Sequence, residues 1–376
     1  MGLWPVQRTD GPEACPTGFP MTIGIALPTL SAGDAIGNDV FGMTRHLRGR
    51  GYDVELFAWN CTVDEPVRRL DELPEVLTQP DDVLIYHHSI SCEPGVRAVE
   101  RSKCRTAVKY HNVTPPEYFA DNPELVKRCT DGLKEVARLA KSTATIWADS
   151  GFNAQHVRDL VPGRKVDELP PFHQADELMA IAPDARSAAG LDDWATTLLV
   201  VGRVAPNKNI PLAVRAFADY RKRFDPRARL VIAGDRPVPE HAKAVEALAR
   251  ELGVAGQTFI TGKVSTAQLK ALYLAADVLL VTSSHEGFCV PLVEAMGLRV
   301  PIVAVPAAAV PFTARDAARY AEATPEAVAE QIRAVLGDFT ARESQLARGR
   351  DRFETHFSNA AIDRQFGELF DELTRA

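Results

Sequence analysis

Two short segments, far apart in the chain, carry the side chains best suited to gripping a charged ligand. VGRVAPNKN, Val201 to Asn209, leaves an apolar run and places Arg203 and Lys208 on one excursion before a helical stretch. Arginine donates in a planar fork and lysine supplies a compact charge. The pair therefore suits a phosphate or pyrophosphate, with the amides of the following helix N-terminus as further donors. Taken alone, this segment is equally well explained as a solvated basic turn. The second segment, SSHEGFCVPLVEAMG from Ser283 to Gly297, shifts that balance. Glu286 sits in a Gly-containing loop directly after the apolar run DVLLVTS, and Glu294 lies about one turn into a helix that Pro291 helps to start. Seven residues separate the two carboxylates, and among them Phe288, Cys289 and Val290 offer successive backbone amides to a leaving phosphate. A carboxylate accepts hydroxyl hydrogen bonds from a sugar or ribose. Singly, Glu294 reads as a charge near the positive end of a helix dipole and Glu286 as a hydrated loop acid. A nucleotide-sugar needs both kinds of contact at once.

These loops need elements to hold them. The chain has 376 residues, which points to about two domains. From Met21 the order is a β-rich run (MTIGIALPTL), a Gly-containing loop, an amphipathic helix (VFGMTRHLRGRG) and a second strand (YDVELFAW), a βαβ unit of the kind that builds parallel sheets. Apolar runs at Val83 to Tyr86, Thr106 to Tyr110 and Thr145 to Ala148 extend that sheet, with a helix over Pro123 to Lys141. The first domain is expected over residues 21–170. The segment VDELPPFHQA, Val166 to Ala175, carries paired prolines and reads as the connector. A second alternation of strands and helices follows over residues 176–356. Ile362, Phe366, Leu369, Phe370 and Leu373 recur near helical spacing, so residues 357–376 read as a closing amphipathic helix that packs back on the first domain. The fold class is α/β, two doubly wound parallel-sheet domains facing across a cleft, with ligands expected beyond the carboxyl ends of the strands.

Composition removes several function classes. A net charge of -7, from 43 basic and 50 acidic residues, argues against a nucleic-acid binder held by phosphate neutralisation. No stretch approaches the roughly 18 apolar residues of a spanning helix. Residues 1–20 lack a basic start and an apolar run, and read as a loose extension rather than a signal peptide. Six cysteines without a C-x-x-C pair disfavour a disulfide framework or structural zinc and fit a reducing cytoplasm. The basic stretch RAVERSKCRTAVK offers a weak peripheral contact with the inner membrane face, though a solvated helix face explains it better.

The second half resembles retaining glycosyltransferase family 4, a group with the GT-B fold of two Rossmann-like domains. Three signatures occur in order: VGRVAPNKN, TGKVSTAQLKALYLAADVLLVTSS, and the E-x7-E pattern of EGFCVPLVE followed by AM. The resemblance implies transfer of a hexose-like sugar from a nucleotide-diphosphate sugar to an acceptor hydroxyl, with retention and without metal or other cofactor. It matches Arg203 and Lys208 to the pair that neutralises the donor diphosphate, Glu294 to the acid on the ribose, and Glu286 to the acid near the transferred sugar. Gly262, Lys263 and Val264 match the stretch beside the base. His111, in KYHNVTPPEYF, matches the place where relatives present a histidine into the cleft. His87 and His88 end another strand and are acceptor-side candidates, and alternation allows at most one of them to face a given cavity.

Two stretches depart from the family. The first strand ends in SAGDAIGND, where relatives often have paired glycines, so Gly33, Asp34, Gly37 and Asn38 are candidates beside the donor or acceptor without a choice between the glycines. MGLRVPIVAVPAAAVPFT lacks the polar Gly-rich turn that relatives commonly have there. No D-x-D occurs, which removes the usual carboxylate arrangement of metal-dependent transferases and fits a site built on cations. A P-loop reading of GKV fails, because Gly256 is one residue too far upstream and Val264 replaces the required hydroxyl. A nicotinamide dehydrogenase lacks its G-x-G-x-x-G. The competing reading within the same fold is a non-catalytic or isomerising nucleotide-sugar-binding protein. Acceptor, sugar, base and oligomeric state are not encoded in any motif.

Overall fold

The computed structural model describes residues 21–31, 33–184 and 195–375; the extension expected over residues 1–20 lies outside them. Seven strands form the first sheet: β1 (Thr22–Leu30), β2 (Asp53–Cys61), β3 (Arg68–Arg69), β4 (Val83–His88), β5 (Arg105–Tyr110), β6 (Thr145–Ala148) and β7 (Asp167–Glu168). Their spatial order is β3-β2-β1-β4-β5-β6-β7, and every pairing is parallel. Six more form the second: β8 (Thr197–Val201), β9 (Arg229–Ala233), β10 (Thr258–Gly262), β11 (Val278–Val281), β12 (Ile302–Ala304) and β13 (Arg319–Tyr320). Their order is β10-β9-β8-β11-β12-β13, again parallel throughout. This is the expected pair of Rossmann-like domains. In each sheet the winding reverses once, between β1 and β4 and between β8 and β11, which opens a crevice at the carboxyl ends of those strands.

Strand alternation feeds cores on both faces of each sheet, because helices cover both. Ile23, Ile25 and Leu27 of β1, with Val83 and Ile85 of β4, enter one core, while Ala26, Leu84 and Tyr86 enter the other. In the second sheet Leu198 and Val200 face one core and Leu199 the other. Side-chain caps start the helices: Asp34 accepts from the Gly37 amide at 2.6 Å ahead of Ala35–Gly49, and Ser150 accepts from Asn153 ahead of Gly151–Leu160.

Around the paired prolines the chain passes from one core to the other within a short span. Phe172 still belongs to the first core and its amide donates to Asp39 at 2.8 Å, whereas Ala175 and Leu178 already pack in the second. The last helix, Asn359–Arg375, returns to the first sheet. Ile362, Phe366, Phe370 and Leu373 are buried there with the β1 side chains, and Leu369 packs against them. Phe366 meets Trp147 edge-on at 5.8 Å and Phe172 at 6.0 Å. Each buried phenylalanine contributes about 1.5–3 kcal/mol, and the Arg50–Asp371 contact at 2.7 Å fixes the rim. The end of the chain is thus part of the domain that begins it. Among the described residues no helix is long and apolar enough to cross a membrane.

Candidate functional site

The two charged segments of the second half are the loops that follow β8 and β11, the strands on either side of the winding reversal. They are stitched to each other. Ser284 N donates to Asn207 O at 2.9 Å, Asn207 Nδ2 to His285 O at 3.2 Å, and Thr282 Oγ1 to the carbonyls of Lys208 and Asn209 at 3.3 and 3.2 Å. Asn209 takes a left-handed conformation (φ 45°) that turns the chain into the helix Ile210–Arg223. Gly234 supports this packing from the end of β9: a Cβ there would lie 2.0 Å from the Gly202 carbonyl oxygen.

The stitching brings Lys208 and Glu286 together. Lys208 Nζ lies 2.6 Å from Glu286 Oε1, and Ser283 Oγ donates to the same oxygen at 2.6 Å. Burial works hardest against the ammonium, but the charge and hydrogen bond of Glu286, with Cys289, together hold the Lys208 pKa above its ordinary value. Both line a water-sized void with Gly202 and Cys289. Arg203 projects from the same loop into solvent, and among the described residues it has no hydrogen-bonded or ion-paired partner. Its charge nevertheless acts on Lys208.

After Glu286 the chain enters the helix Val290–Leu298 through Cys289, whose φ of 76° is left-handed, with Pro291 in the first turn. Among the described residues none accepts from the amides of Phe288, Cys289 or Val290. The Phe288 ring itself turns into the core against Phe357, at 5.5 Å. Glu294, a turn further on, receives a 2.6 Å hydrogen bond from Tyr273 Oη; burial raises its pKa and that bond opposes the rise. Glu294 therefore stands apart from the Lys208–Glu286 pair, on the same helix entrance. Gly262 ends β10 in a left-handed conformation (φ 73°) after a register shift, Lys263 is exposed, and Val264 packs on the second core.

The first sheet contributes a buried ionic cluster that sequence reasoning found only in part. His111 follows β5, and its Nδ1 lies 2.8 Å from Asp149 Oδ2 while its Nε2 lies 2.8 Å from His87 Nδ1. Lys109 Nζ meets Asp149 Oδ1 at 2.6 Å and also bonds the Leu169 carbonyl. Burial would raise the Asp149 pKa, but His111 and Lys109 together hold it below the ordinary carboxylate range. An ionised Asp149 only accepts, so His111 Nδ1 carries a proton toward it, and a single proton lies between His87 Nδ1 and His111 Nε2. His87 Nε2 is buried and has no hydrogen-bond partner among the described residues. Asp39 lies 3.7–3.8 Å from both rings, with its pKa pushed up to about 6, first by burial. Asp39, His87 and His111 have the closeness of metal ligands. The 2.8 Å separation of the two ring nitrogens is instead that of a hydrogen bond, and Lys109 beside them opposes a cation.

The histidine expectations need correction. His87 and His88 are both fully buried and neither lines an open acceptor surface. They do point to opposite faces, His87 into the ionic cluster and His88 to the Gly132 carbonyl at 2.9 Å. The first-loop glycines also separate. A Cβ at Gly37 would lie 2.1 Å from the Ser31 carbonyl oxygen, whereas Gly33 has φ 78° and open space around it. Of the two, only Gly33 leaves its backbone accessible; Asp34 is occupied as the helix cap, and Asn38 is half-buried in the first turn.

The two sheets meet at these loops. His285 Nε2 lies 2.8 Å from Asn112 Oδ1, Ser150 Oγ donates to Gly287 O at 2.8 Å, and Tyr118 Oη to Ser284 Oγ at 2.9 Å. None of His285, Asn112, Ser150, Asp39, Lys109, Asp149 or Tyr273 was singled out from sequence.

Fold and site define a two-domain protein whose charged strand-end loops converge where its parallel sheets face each other. Comparison with known proteins agrees. The family described as glycosyl transferases group 1 matches residues 183–352. A D-inositol 3-phosphate glycosyltransferase of Mycobacterium sp. (strain JLS) is 33% identical over 335 residues, 76% of this chain and 73% of that protein. One from Segniliparus rotundus is 29% identical over 259 residues, 66% of this chain and 51% of that protein. A lipopolysaccharide 1,2-N-acetylglucosaminetransferase of Salmonella typhimurium is 28% identical over 247 residues, 61% of this chain and 58% of that protein. The chain thus spans little more than half the length of these last two relatives. Among solved structures, sucrose-phosphate synthase from Thermosynechococcus elongatus superposes with a TM-score of 0.75 at 19% identity, covering 94% of this chain and 99% of that one. Anabaena Alr3699/HepE in complex with UDP and glucose gives 0.69 at 15% identity, covering 94% and 100%. The chain belongs to the glycosyl transferases group 1 family.

Proposed function

We propose that the protein transfers a hexose-like sugar from a nucleotide-diphosphate donor to an acceptor hydroxyl, with retention of configuration and without a metal ion. The observation that carries this reading is the junction of Lys208, Glu286 and the unpartnered Arg203 at the winding reversal of the second sheet, opposite the loop that holds His111. A diphosphate arriving there meets Arg203 first and then competes with Glu286 for Lys208. Charge that develops on the departing nucleotide is stabilised by both cations and by the amides of Phe288, Cys289 and Val290. Glu286, released from part of its ion pair, accepts hydrogen bonds from the sugar hydroxyls. Glu294 takes the ribose, and the backbone of Gly262 to Val264 takes the base. The acceptor enters on the face from which the nucleotide leaves, and a donor phosphate oxygen takes its proton. No protein base is assigned, and His111 orients the sugar. Metal independence follows from this division of labour, since the cations of the chain do the neutralising.

The test is a panel of nucleotide-diphosphate sugars and hydroxyl acceptors with the purified full chain in chelator, read by nucleoside diphosphate release, product mass and anomeric configuration by NMR. Transfer with retention is expected, and Arg203→Ala should reduce kcat about 10²–10³-fold. An inverted product, a strict metal requirement, or undiminished turnover by Arg203→Ala would each remove the corresponding part of the proposal.

A further inference from the structure

Residues 284–287, which include the acid Glu286, are clamped from two sides. Their own domain holds the backbone through Asn207 and through Ala309 N, which donates to Glu286 O at 3.2 Å. The first domain holds three of the four, Ser284, His285 and Gly287, through side chains. Tyr118 reaches Ser284, Asn112 meets His285, and Ser150 bonds the Gly287 carbonyl. Gly287 touches that domain so closely that an added Cβ would lie 2.5 Å from the His111 carbonyl oxygen. Asn112 is the neighbour of His111 and is itself constrained. It is buried, left-handed at φ 77°, and its Nδ2 donates to Asn153 Oδ1 at 3.0 Å. That donation leaves Asn112 Oδ1 facing the second domain as an acceptor, so His285 Nε2 must carry the proton between them. The His285 ring is seated between Tyr118, at 6.1 Å, and Phe152, at 5.9 Å.

We infer that His285 and Asn112 are positioning residues for sugar transfer: their hydrogen bond across the domain boundary sets Glu286 in register with His111. Neither touches the diphosphate-binding cations. The inference rests on the transferase reading above and adds to it a device that exists only when the domains are together. A sugar bound at Glu286 is then aligned with the acceptor side through the His285–Asn112 bond, its two flanking hydrogen bonds and one glycine contact. Loss of the bond lets the loop relax by a fraction of an ångström, and misplacements of that order cost large factors in rate.

His285→Phe keeps the aromatic packing and deletes the donor, whereas His285→Gln retains an amide N–H at similar reach. Asn112→Gly removes the acceptor while tolerating the positive φ. In the full chain, His285→Phe should lower kcat for transfer about ten- to hundredfold and raise the fraction of donor lost to hydrolysis. Nucleoside diphosphate Kd should stay at the wild-type value. His285→Gln should recover most of the transfer rate, and the double variant His285→Phe/Asn112→Gly should be no worse than the poorer single. Wild-type turnover by His285→Phe, equal impairment of Phe and Gln variants, or a loss of nucleotide affinity matching the loss of kcat would overturn the inference while leaving the transferase reading intact. Absence of transfer by the wild-type chain from any donor would remove both.

Discussion

Lys208→Met is the most informative single change, because it deletes an ammonium while keeping the stem that packs on Gly202, where an added Cβ would lie 3.2 Å from Lys208 Cε. Two consequences follow and can be separated. The Lys208 and Glu286 side chains are 19% and 9% exposed, so the carboxylate left behind is largely desolvated. Removing one partner of a buried pair costs about 3–5 kcal/mol, and the residual exposure of Lys208 argues for the lower end, about 3 kcal/mol. For a domain of this size that is a fall of roughly 6–12 °C in the Tm of the second domain. Loss of a cation aimed at developing phosphate charge should also lower kcat about 10²–10³-fold, assayed below the transition temperature. Adding Glu286→Gln removes the stranded charge yet keeps a partner for Ser283, so the double variant should regain most of the Tm while turnover stays low. Calorimetry and nucleotide-release kinetics on wild type, the single and the double variants decide the matter. A single variant as stable as wild type, or a double variant no more stable than the single, would refute the argument that these charges are held against burial by each other.

Tyr273→Phe should weaken nucleoside diphosphate binding about five- to tenfold, since the 2.6 Å bond that orients Glu294 disappears and burial then favours its protonated form; calorimetric titration giving an unchanged Kd would count against Glu294 as the ribose acid. Acid should destabilise the first domain early, because burial lowers the His88 pKa from 6.5 to about 4 and leaves the unfolded chain binding the extra proton between those values. Stability from this side chain is therefore full above about pH 6.5 and lost progressively toward pH 4, by about 3 kcal/mol, and the gap between urea midpoints at pH 7.5 and 5 should narrow in His88→Asn, with the remainder due to other buried histidines such as His87.

Much of the architecture was legible because it is written in alternation. Runs such as MTIGIALPTL and ARLVIAGD have no polar face, and that is the pattern of strands covered on both sides. The closing helix was legible for a related reason: Ile362, Phe366, Phe370 and Leu373 form an apolar stripe too strong for an exposed helix. Its anchorage was less so. Asp39 reads as one more polar residue after SAGDAIGN, yet it faces inward beside Val40 and accepts from the Phe172 amide, 133 residues away. A connector can be inferred from Pro170 and Pro171, but the carboxylate that receives it cannot.

The site divides the same way, between residues set by a ligand and residues set by the other domain. In the proposed function one bound molecule touches Arg203, Lys208, Glu286 and Glu294, and its dimensions would account for their spacing within short motifs. Lys109 shows the opposite case. In TAVKYHN, alternation would send its side chain outward, but a parallel sheet has no outward face, so the ammonium had to be paired internally, with Asp149 and the Leu169 carbonyl. Its partner lies just past the end of β6, at a distance in sequence that no local pattern encodes. His285 is the same kind of residue at the domain boundary: it stands beside Glu286 in the chain, yet it answers to Asn112, and its identity becomes interpretable only when both sheets are in place.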